Sequence, residues 1–488
     1  MNTRKRLELH QALRHAQSFE EWRPVAEAWD EASGAAAWRR DDASPDYDYR
    51  LVRSRVESLR RLRQRNDARG MVHELRQGLH WNLGNMGNAA LYGPSLLGTK
   101  HLIETYLDEV TSAMRWLTEG SFPGVRKSVK RELFQALGQA YGRSALMLSG
   151  GATLGLFHVG VVRTLYLHDL LPEILSGSSA GAVVGMAVSA QDKASAEALL
   201  DPHNIYVDNW GLLPLFEAWR RGALMDQNKL RRGIAENIPD VTFEEAYAAS
   251  GYAMNITVSP VAENQPPRLL NHLTFPYLFV REAVLASCAV PFLFPPVQMA
   301  TRNMQGQREA YMPSLRWADG SLKSDLPRMR LRRLFNVNHF IVSQTNPHVL
   351  PFMHSSDPQA KGLTNAVRHA LYDTVQMGAR NLLHLGRAAV PAGAQRLRQG
   401  IDDLHGILAQ DYRGNITILP QLDLRNYARV VRNPSDADVL RMIRQGERAT
   451  WPRLRMVHDQ TIISRTIRDC QQRLDGQSSS SNSQLATA

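Results

Sequence analysis

The chain has 488 residues, of which 43% are hydrophobic and 22% are charged. This balance is that of a globular protein, and it excludes wholesale disorder and a collagen-like or coiled-coil rod. Lys and Arg total 58 against 47 Asp and Glu, a formal charge of +11, which favours attraction to polyanions such as an anionic lipid surface. No nucleic-acid motif with interleaved aromatic residues occurs, so no nucleic-acid partner is expected.

The sequence also limits where the chain works and what it binds. No run reaches the ~18 apolar residues of a membrane-spanning helix. The opening MNTRKRLELH has no apolar block behind its basic residues, so no secretory signal is predicted. Only Cys288 and Cys470 occur as cysteines, which excludes a disulfide scaffold, and no metal-ligand spacing is present. We therefore expect no metal or cofactor, and an intracellular protein that is cytoplasmic or peripherally bound to a membrane.

Residues 1–142 are predicted to form a mainly helical N-terminal region. Within it, apolar residues recur at helical spacing over residues 51–69, and arginines such as Arg53, Arg60 and Arg63 lie between them. These arginines fit either a solvated helix face or a patch that binds a lipid surface.

The character of the sequence changes at residue 143, where an α/β pattern begins. Short apolar strands are predicted over 145–148 and 174–176, and each is followed by a turn of small residues and a helix. Two such units in succession predict a parallel sheet with helices on both faces. Further buried strands are predicted over 252–259 and 337–344.

The chain is thereby divided into four parts. After the helical region, residues 143–349 form the α/β domain, and residues 350–475 a mainly helical C-terminal region. That region contains a helix over 364–385 and another that begins after Ser435. The serine-rich tail, residues 476–488, is predicted to be disordered.

The strongest chemical signal is Gly177-Ser178-Ser179-Ala180-Gly181, which matches G-x-S-x-G. A serine at a strained strand-to-helix turn, which only small neighbours permit, is presented as a nucleophile at the helix N-terminus. The apolar strand before it and the Gly/Ala/Val helix after it supply the required context. The register predicts Ser179 as the nucleophile and Ser178 as a hydrogen-bonding residue of the turn.

A second glycine-rich turn runs from Gly150 to Gly155 and reads GGATLG. Exposed backbone N–H groups between a strand and a helix bind anions. Ala152 breaks the dinucleotide pattern G-x-G-x-x-G, and no clear acidic residue ends a second strand about 20 residues further on, as that fold requires. So close before a serine elbow, the turn is better interpreted as an oxyanion hole for acyl transfer.

The third element is Asp319-Gly320, within WADGSLKSDLP. A carboxylate beside glycine in a loop can approach a serine and act as its base. Asp325 competes for this role, although its position before Leu-Pro suggests a turn or a helix cap.

Together these three elements resemble the patatin-like phospholipase family, which uses a Ser–Asp dyad without histidine on an α/β sheet. The resemblance implies Ser179 as nucleophile and Asp319 as base, with an oxyanion hole from Gly150, Gly151 and the amide of Ala152. The turn differs from the family pattern G-G-G-x-R-G at two positions. Ala152 replaces the third glycine but keeps its N–H, and Leu154 replaces the arginine.

The N-terminal region and the block ASCAVPFLFPPV (286–297) are similar to the branch that contains fungal and plant triacylglycerol lipases, over roughly residues 20–350. This resemblance implies a serine acyl hydrolase that cleaves lipid esters at a lipid or membrane surface, with triacylglycerol as the favoured substrate. A phospholipase A or lysophospholipase of the same fold and a catalytically silent lipid-surface protein are the alternatives. A further alternative is an ordinary α/β-hydrolase with a Ser-Asp-His triad, in which His348 or His354 would be the histidine.

Three further predictions concern less distinctive residues. His158, just after the glycine-rich turn, is expected to pack or to form hydrogen bonds, and Cys288 is expected to pack in an apolar block. Phe292 and Phe294 fit either an acyl-chain pocket or the core. The sequence leaves the oligomeric state open.

Overall fold

The computed structural model describes residues 3–262, 265–321, 325–347, 349–350, 353, 412–421 and 430–485. The helix predicted over 364–385 lies outside these residues. The chain divides into two compact units, a helical unit (residues 1–144, 335–339 and 451–488) and a sheet unit (residues 145–334 and 340–450).

The described helices, in chain order, are α1 Thr3–His15, α2 Phe19–Ser33, α3 Ala35–Arg40, α4 Tyr49–Gln64, α5 Ala68–Gly78, α6 His101–Glu119, α7 Lys127–Tyr141, α8 Leu156–Leu167, α9 Ala180–Ser189, α10 Lys193–Leu199, α11 Leu215–Arg221, α12 Gln227–Asn237, α13 Phe243–Ser250, α14 Val280–Ser287, α15 Arg328–Phe335, α16 Asp436–Thr450 and α17 Leu454–Leu485. The described strands are β1 Arg143–Leu148, β2 Ile174–Gly177, β3 Ala253–Pro260, β4 Arg268–Leu270, β5 Ala300–Arg302, β6 Arg308–Ala310, β7 Trp317–Asp319, β8 Val337–Ser343 and β9 Ile416–Ile418. Across these described ranges, no helix combines the length and the apolar character needed to span a membrane.

The helical unit contains α1 to α7 and the long helix α17. Side chains cap several of these helices where they begin: Ser18 accepts from the Glu21 N–H at α2, and Asp48 accepts from the Leu51 N–H at α4. Helix α6 packs against both α4 and α17 through a nearly continuous buried face. The N-terminal region is therefore helical, as the sequence predicts.

The three arginines of α4 that the sequence analysis names are engaged in ion pairs. Arg53 pairs with Asp42 at 2.7 Å, while Arg60 and Arg63 both pair with the buried carboxylate of Glu109, at 3.0 and 2.6 Å. Because these guanidinium groups already have carboxylate partners within the helical unit, the structure favours the solvated face over the lipid patch.

Two parts of the C-terminal prediction differ from the structure. Residues 451–475 do not belong to a separate region, because α17 packs on α6 and α7 within the helical unit. Helix α17 also continues to Leu485, into the segment predicted to be disordered. No proline interrupts that serine-rich segment, and helical periodicity alone does not reveal which core a helix joins.

The sheet has the order β4-β3-β2-β1-β8-β9, and β7 pairs separately with β3. Strands β1, β2 and β3 are parallel neighbours, and β8 and β9 are also parallel. Strands β4 and β7 both run antiparallel to β3. The predicted α/β fold is confirmed, with the correction that its sheet is mixed and mostly parallel.

Candidate active site

Ser179 occupies the sharp turn between β2 and α9. Its backbone lies at φ 51° and ψ −120°, a conformation that residues other than glycine rarely adopt. The Ser179 N–H donates to Oγ of Ser287 at 3.0 Å, and that hydroxyl donates to the carbonyl of Thr257 at 2.8 Å. The strained turn is thus held by neighbouring side chains, as a nucleophile elbow requires.

The two glycines of the elbow are needed for close backbone approach. A Cβ atom at Gly177 would lie 2.3 Å from the carbonyl oxygen of Gly181, and one at Gly181 would lie 2.2 Å from that of Leu148. In the glycine-rich turn, a Cβ at Gly155 would lie 2.4 Å from the Cβ of Ala180. These contacts explain physically why G-x-S-x-G and the last glycine of GGATLG occur here.

Strand register brings Asp319 to the elbow. On one edge of β3, β2 pairs only as far as Ile256, which is opposite Gly177. Strand β4 pairs with the other edge of β3 as far as Val258. Strand β7 also pairs with β3 at Val258, through Asp319, so it must lie on the same edge as β2, beyond the point where β2 ends. The carboxyl end of β7 therefore meets the carboxyl end of β2, where Ser179 follows.

Asp319 is the last residue of β7, and the loop position predicted from the sequence is wrong. The strand is only three residues long, too short for its periodicity to be recognised. A Cβ at Gly320 would lie 2.7 Å from backbone atoms of Thr257, so the chain after Asp319 passes close over β3.

The Asp319 carboxylate is buried and accepts a hydrogen bond from the Ser321 N–H at 2.7 Å. Burial raises the pKa of Asp319 to about 6, although the Ser321 hydrogen bonds oppose this shift. Such a carboxylate is ionised at neutral pH and is a stronger base than an exposed one.

In the glycine-rich turn, the three predicted oxyanion donors have different surroundings. The Gly150 N–H donates to Oδ1 of Asp325 at 3.0 Å, so it is not available to a substrate. In the described residues, the N–H groups of Gly151 and Ala152 have no protein acceptor. The predicted hole thus has two available amides, not three, because a carboxylate distant in sequence binds the first.

Asp325 has a structural position beyond the turn or helix cap predicted for it. Its side chain binds Gly150, and its carbonyl oxygen accepts from the Ser178 hydroxyl at 3.1 Å, so it links both turns. Burial, reinforced by the charge of Asp319, raises the pKa of Asp325 to about 7, against the hydrogen bond from Gly150.

Ser179 and Asp319 line a common cavity of about 560 Å³, a volume typical of small-molecule sites. Gly151, Ala152 and Cys288 also line it. Most of the remaining lining is aliphatic or aromatic, including Val184, Leu200, Ile205, Trp210, Leu293 and Phe294. In the described part of the chain, Asp319 is the one charged residue of the lining, and no histidine contributes. His348 and His354, the triad alternative, lie outside the described residues.

His158 is fully buried and hydrogen-bonded. Its Nδ1 lies 2.7 Å from Oγ of Ser343, and its Nε2 lies 3.0 Å from both the Ser149 carbonyl oxygen and Oγ1 of Thr345. Burial lowers the pKa of His158 to about 4, so the imidazole is neutral and supports the base of the glycine-rich turn.

The structure also places Cys288 and the two phenylalanines, Phe292 and Phe294. Cys288 is buried and lines the cavity together with Ser179 and Asp319, so it packs within the site, and burial raises the pKa of its thiol well above the usual value. Phe294 is buried and lines the cavity, whereas Phe292 is 80% exposed. The sequence treated these two phenylalanines alike, because it could not show the positive φ of 69° that turns the chain at Phe292.

This mostly parallel sheet, with a serine elbow and a buried carboxylate on one cavity, is the arrangement of the α/β proteins that carry a serine at a strand-to-helix turn. The family model "Patatin-like phospholipase" matches residues 146–331, and a second model, "Domain of unknown function (DUF3336)", matches residues 1–139. The chain belongs to the patatin-like phospholipase family, as the sequence analysis predicted.

Similar proteins come from fungi and plants. Triacylglycerol lipase ptl3 of Schizosaccharomyces pombe is 34% identical, over 93% of this chain and 95% of that protein. Triacylglycerol lipase 4 of Saccharomyces cerevisiae is also 34% identical, over 91% of this chain and 51% of that protein. Triacylglycerol lipase SDP1L of Arabidopsis thaliana is 30% identical, over 94% of this chain and 57% of that protein. The chain thus spans little more than half the length of the second and third relatives.

Proposed function

We propose that this chain is a serine acyl hydrolase that cleaves lipid esters through a Ser179–Asp319 dyad. Ser179 Oγ attacks the ester carbonyl carbon while its proton passes to the Asp319 carboxylate. The negative charge on the carbonyl oxygen is stabilised by the N–H groups of Gly151 and Ala152. The alcohol then leaves with that proton, and water releases the fatty acid from the acyl-enzyme.

The observation that carries this proposal is the shared cavity. A strained serine, a carboxylate of raised pKa and two amides that have no acceptor among the described residues line one apolar space. A purely structural turn has no need for a backbone strained at Ser179, and strain of this kind is characteristic of functional sites.

We propose triacylglycerol as the substrate, ahead of a phospholipid. In the described lining no Lys, Arg or His is present to pair with a phosphate, while the aliphatic walls suit an acyl chain and a neutral ester. The names of the relatives, three triacylglycerol lipases, point to the same substrate.

A release assay tests both parts. The purified chain is incubated with trioleoylglycerol, a phosphatidylcholine and a lysophosphatidylcholine, and Ser179→Ala is the control. We expect fatty acid chiefly from trioleoylglycerol, and none above background from the variant. Equal or faster release from phosphatidylcholine would contradict the substrate, and release that Ser179→Ala retains would contradict the mechanism.

A further inference from the structure

A group of large apolar side chains projects into solvent beside the cavity. We call it the apolar ridge, and its members, with their exposed fractions, are Leu212 (78%), Leu215 (89%), Phe216 (73%), Trp219 (83%), Leu224 (51%) and Phe292 (80%). Isolated exposed apolar residues are ordinary, but a group of this size on neighbouring segments marks an interaction surface.

Backbone hydrogen bonds hold the ridge together. Leu212 is paired with Met225 in an antiparallel bridge, and the Leu213 N–H donates to the Leu224 carbonyl at 3.0 Å. The Leu224 N–H in turn donates to the carbonyl of Phe292 at 3.2 Å. The ridge is thus an ordered part of the sheet unit, built by two segments distant in sequence.

Helix α11 presents its apolar residues outward. Leu215 and Trp219 are four residues apart and share one face, with Phe216 next to it, while Ala218 is buried on the inner side. Arg220 follows and is exposed. Tryptophan and leucine with an adjacent arginine are the composition of a helix that lies in a lipid interface.

The ridge is continuous with the cavity. The Met225 N–H donates to the carbonyl of Leu293 at 2.9 Å, and Leu293 lines the cavity. Trp210, two residues before the ridge begins, contacts Phe294 in a tilted arrangement with ring centroids 5.9 Å apart, and both line the cavity. An acyl chain that leaves a lipid surface under the ridge therefore meets apolar groups as far as Ser179.

From this continuity we propose that the apolar ridge docks the chain on the lipid–water interface that holds its ester substrate. The attraction is apolar, since Leu215, Phe216 and Trp219 enter the acyl region while Arg220 stays among the headgroups. This inference rests on the proposed function for the identity of the surface, and it replaces the arginines of α4 as the candidate docking group.

Vesicle flotation tests the proposal, with vesicles of phosphatidylcholine alone so that net surface charge is absent. The full chain is compared with the ridge variant Leu215→Ser/Phe216→Ser/Trp219→Ser. A matched control, Leu7→Ser/Met304→Ser/Met329→Ser, removes three other apolar side chains that are 58% or more exposed. We expect the ridge variant to bind at least about tenfold more weakly, at low and high salt alike, and the control to bind like wild type.

Two further readings make the outcome decisive. None of the three substituted ridge residues lines the cavity, so turnover of a soluble short-chain ester should stay unchanged in a folded ridge variant. Ser179→Ala should float like wild type, so docking can stand even if hydrolysis is not found. Unchanged flotation of the ridge variant would overturn the proposal. So would a wild-type dimer that becomes monomeric in the ridge variant, because the ridge would then bind a second copy.

Discussion

The glycine-rich turn (residues 150–155) and the serine elbow (residues 177–181) are built alike but held differently. Each follows one strand of the parallel pair β1 and β2, and each leads into a helix. In the elbow, backbone contacts leave no room for a side chain at Gly177 or Gly181, and a neutral hydroxyl, that of Ser287, accepts from the Ser179 amide. In the glycine-rich turn, a side chain 175 residues away, that of Asp325, binds the first amide.

The difference teaches which parts of such a site depend on a charged group. The elbow is held by the close contacts of its glycines and by the neutral hydroxyl of Ser287, and its proposed chemistry depends on the one hydroxyl of Ser179. The glycine-rich turn, which we propose as the oxyanion hole, is held at its first amide by the carboxylate of Asp325. Substitutions in the elbow should therefore abolish activity, while those around the turn should weaken it by degrees.

The largest effect is expected at the elbow. Ser179→Ala should reduce kcat on a short-chain ester by at least about 10³-fold, because it removes the nucleophile. Ser178→Ala should keep a substantial part of the activity, since it removes only the hydrogen bond to the Asp325 carbonyl. Steady-state kinetics of the two folded variants checks this, and wild-type turnover by Ser179→Ala would refute the assignment.

Asp319→Asn should follow, with a loss of about 10²- to 10⁴-fold, because the amide keeps the shape but cannot accept the proton. The wild-type rate should rise with pH through about 6, where the carboxyl of Asp319 ionises. A pH profile of kcat/KM on the short-chain ester measures this.

The histidines supply the contrast for that prediction. Replacement of each of the sixteen His residues by Ala should leave no folded variant as impaired as Asp319→Asn. One histidine of equal effect would indicate a Ser-His-Asp triad instead.

A smaller effect is expected at Asp325, which binds the Gly150 amide and is not among the described residues that line the cavity. Asp325→Ala should lower kcat about tenfold with little change in KM, because the amides of Gly151 and Ala152 lose their orientation. Asp325→Asn should restore most of the rate, since its amide oxygen can accept from Gly150. Failure of this rescue, in a folded variant, would show that the negative charge rather than the hydrogen bond is required.

Stability should respond to pH at the same residue. Because burial raises the pKa of Asp325 to about 7, the folded state binds the proton more tightly than the unfolded state. The contribution of Asp325 to the free energy of unfolding is therefore fully present below pH ~4 and is lost as the pH rises through about 7. Measured by urea unfolding, the free energy of unfolding should fall less steeply over this pH range in Asp325→Asn than in wild type. An equal fall in both proteins would exclude Asp325 as the source of the pH dependence.

The smallest effect is expected at Ala152, whose φ of 49° favours glycine. Ala152→Gly should keep activity within a few-fold, because the N–H remains. It should not lower the free energy of unfolding, since relief of about 1 kcal/mol of backbone strain offsets the added freedom of glycine in the unfolded chain. Thermal unfolding measures this, and a clear decrease in Tm would show that the turn is unstrained.

The sequence was most informative where neighbours along the chain decide the geometry. Strands β1, β2, β3 and β8 lie where apolar runs predict them, and Ser179 stands at the predicted turn. It was uninformative where partners are distant: the arginines of α4 were candidates for a lipid surface because their pairing with Asp42 and Glu109 depends on tertiary packing. The short strand β7 was missed because three residues show no periodicity, and the outward turn at Phe292 because the sequence does not show its positive φ.

The central claim, that Asp319 activates Ser179, is tested most directly by labelling with a fluorophosphonate. The labelling rate is followed from pH 5 to pH 8, and the modified residue is located by mass spectrometry. We predict a single adduct on Ser179, formed faster as the pH rises through about 6, and formed slowly at every pH in Asp319→Asn. An adduct on another residue, or equal rates in wild type and Asp319→Asn, would contradict the dyad.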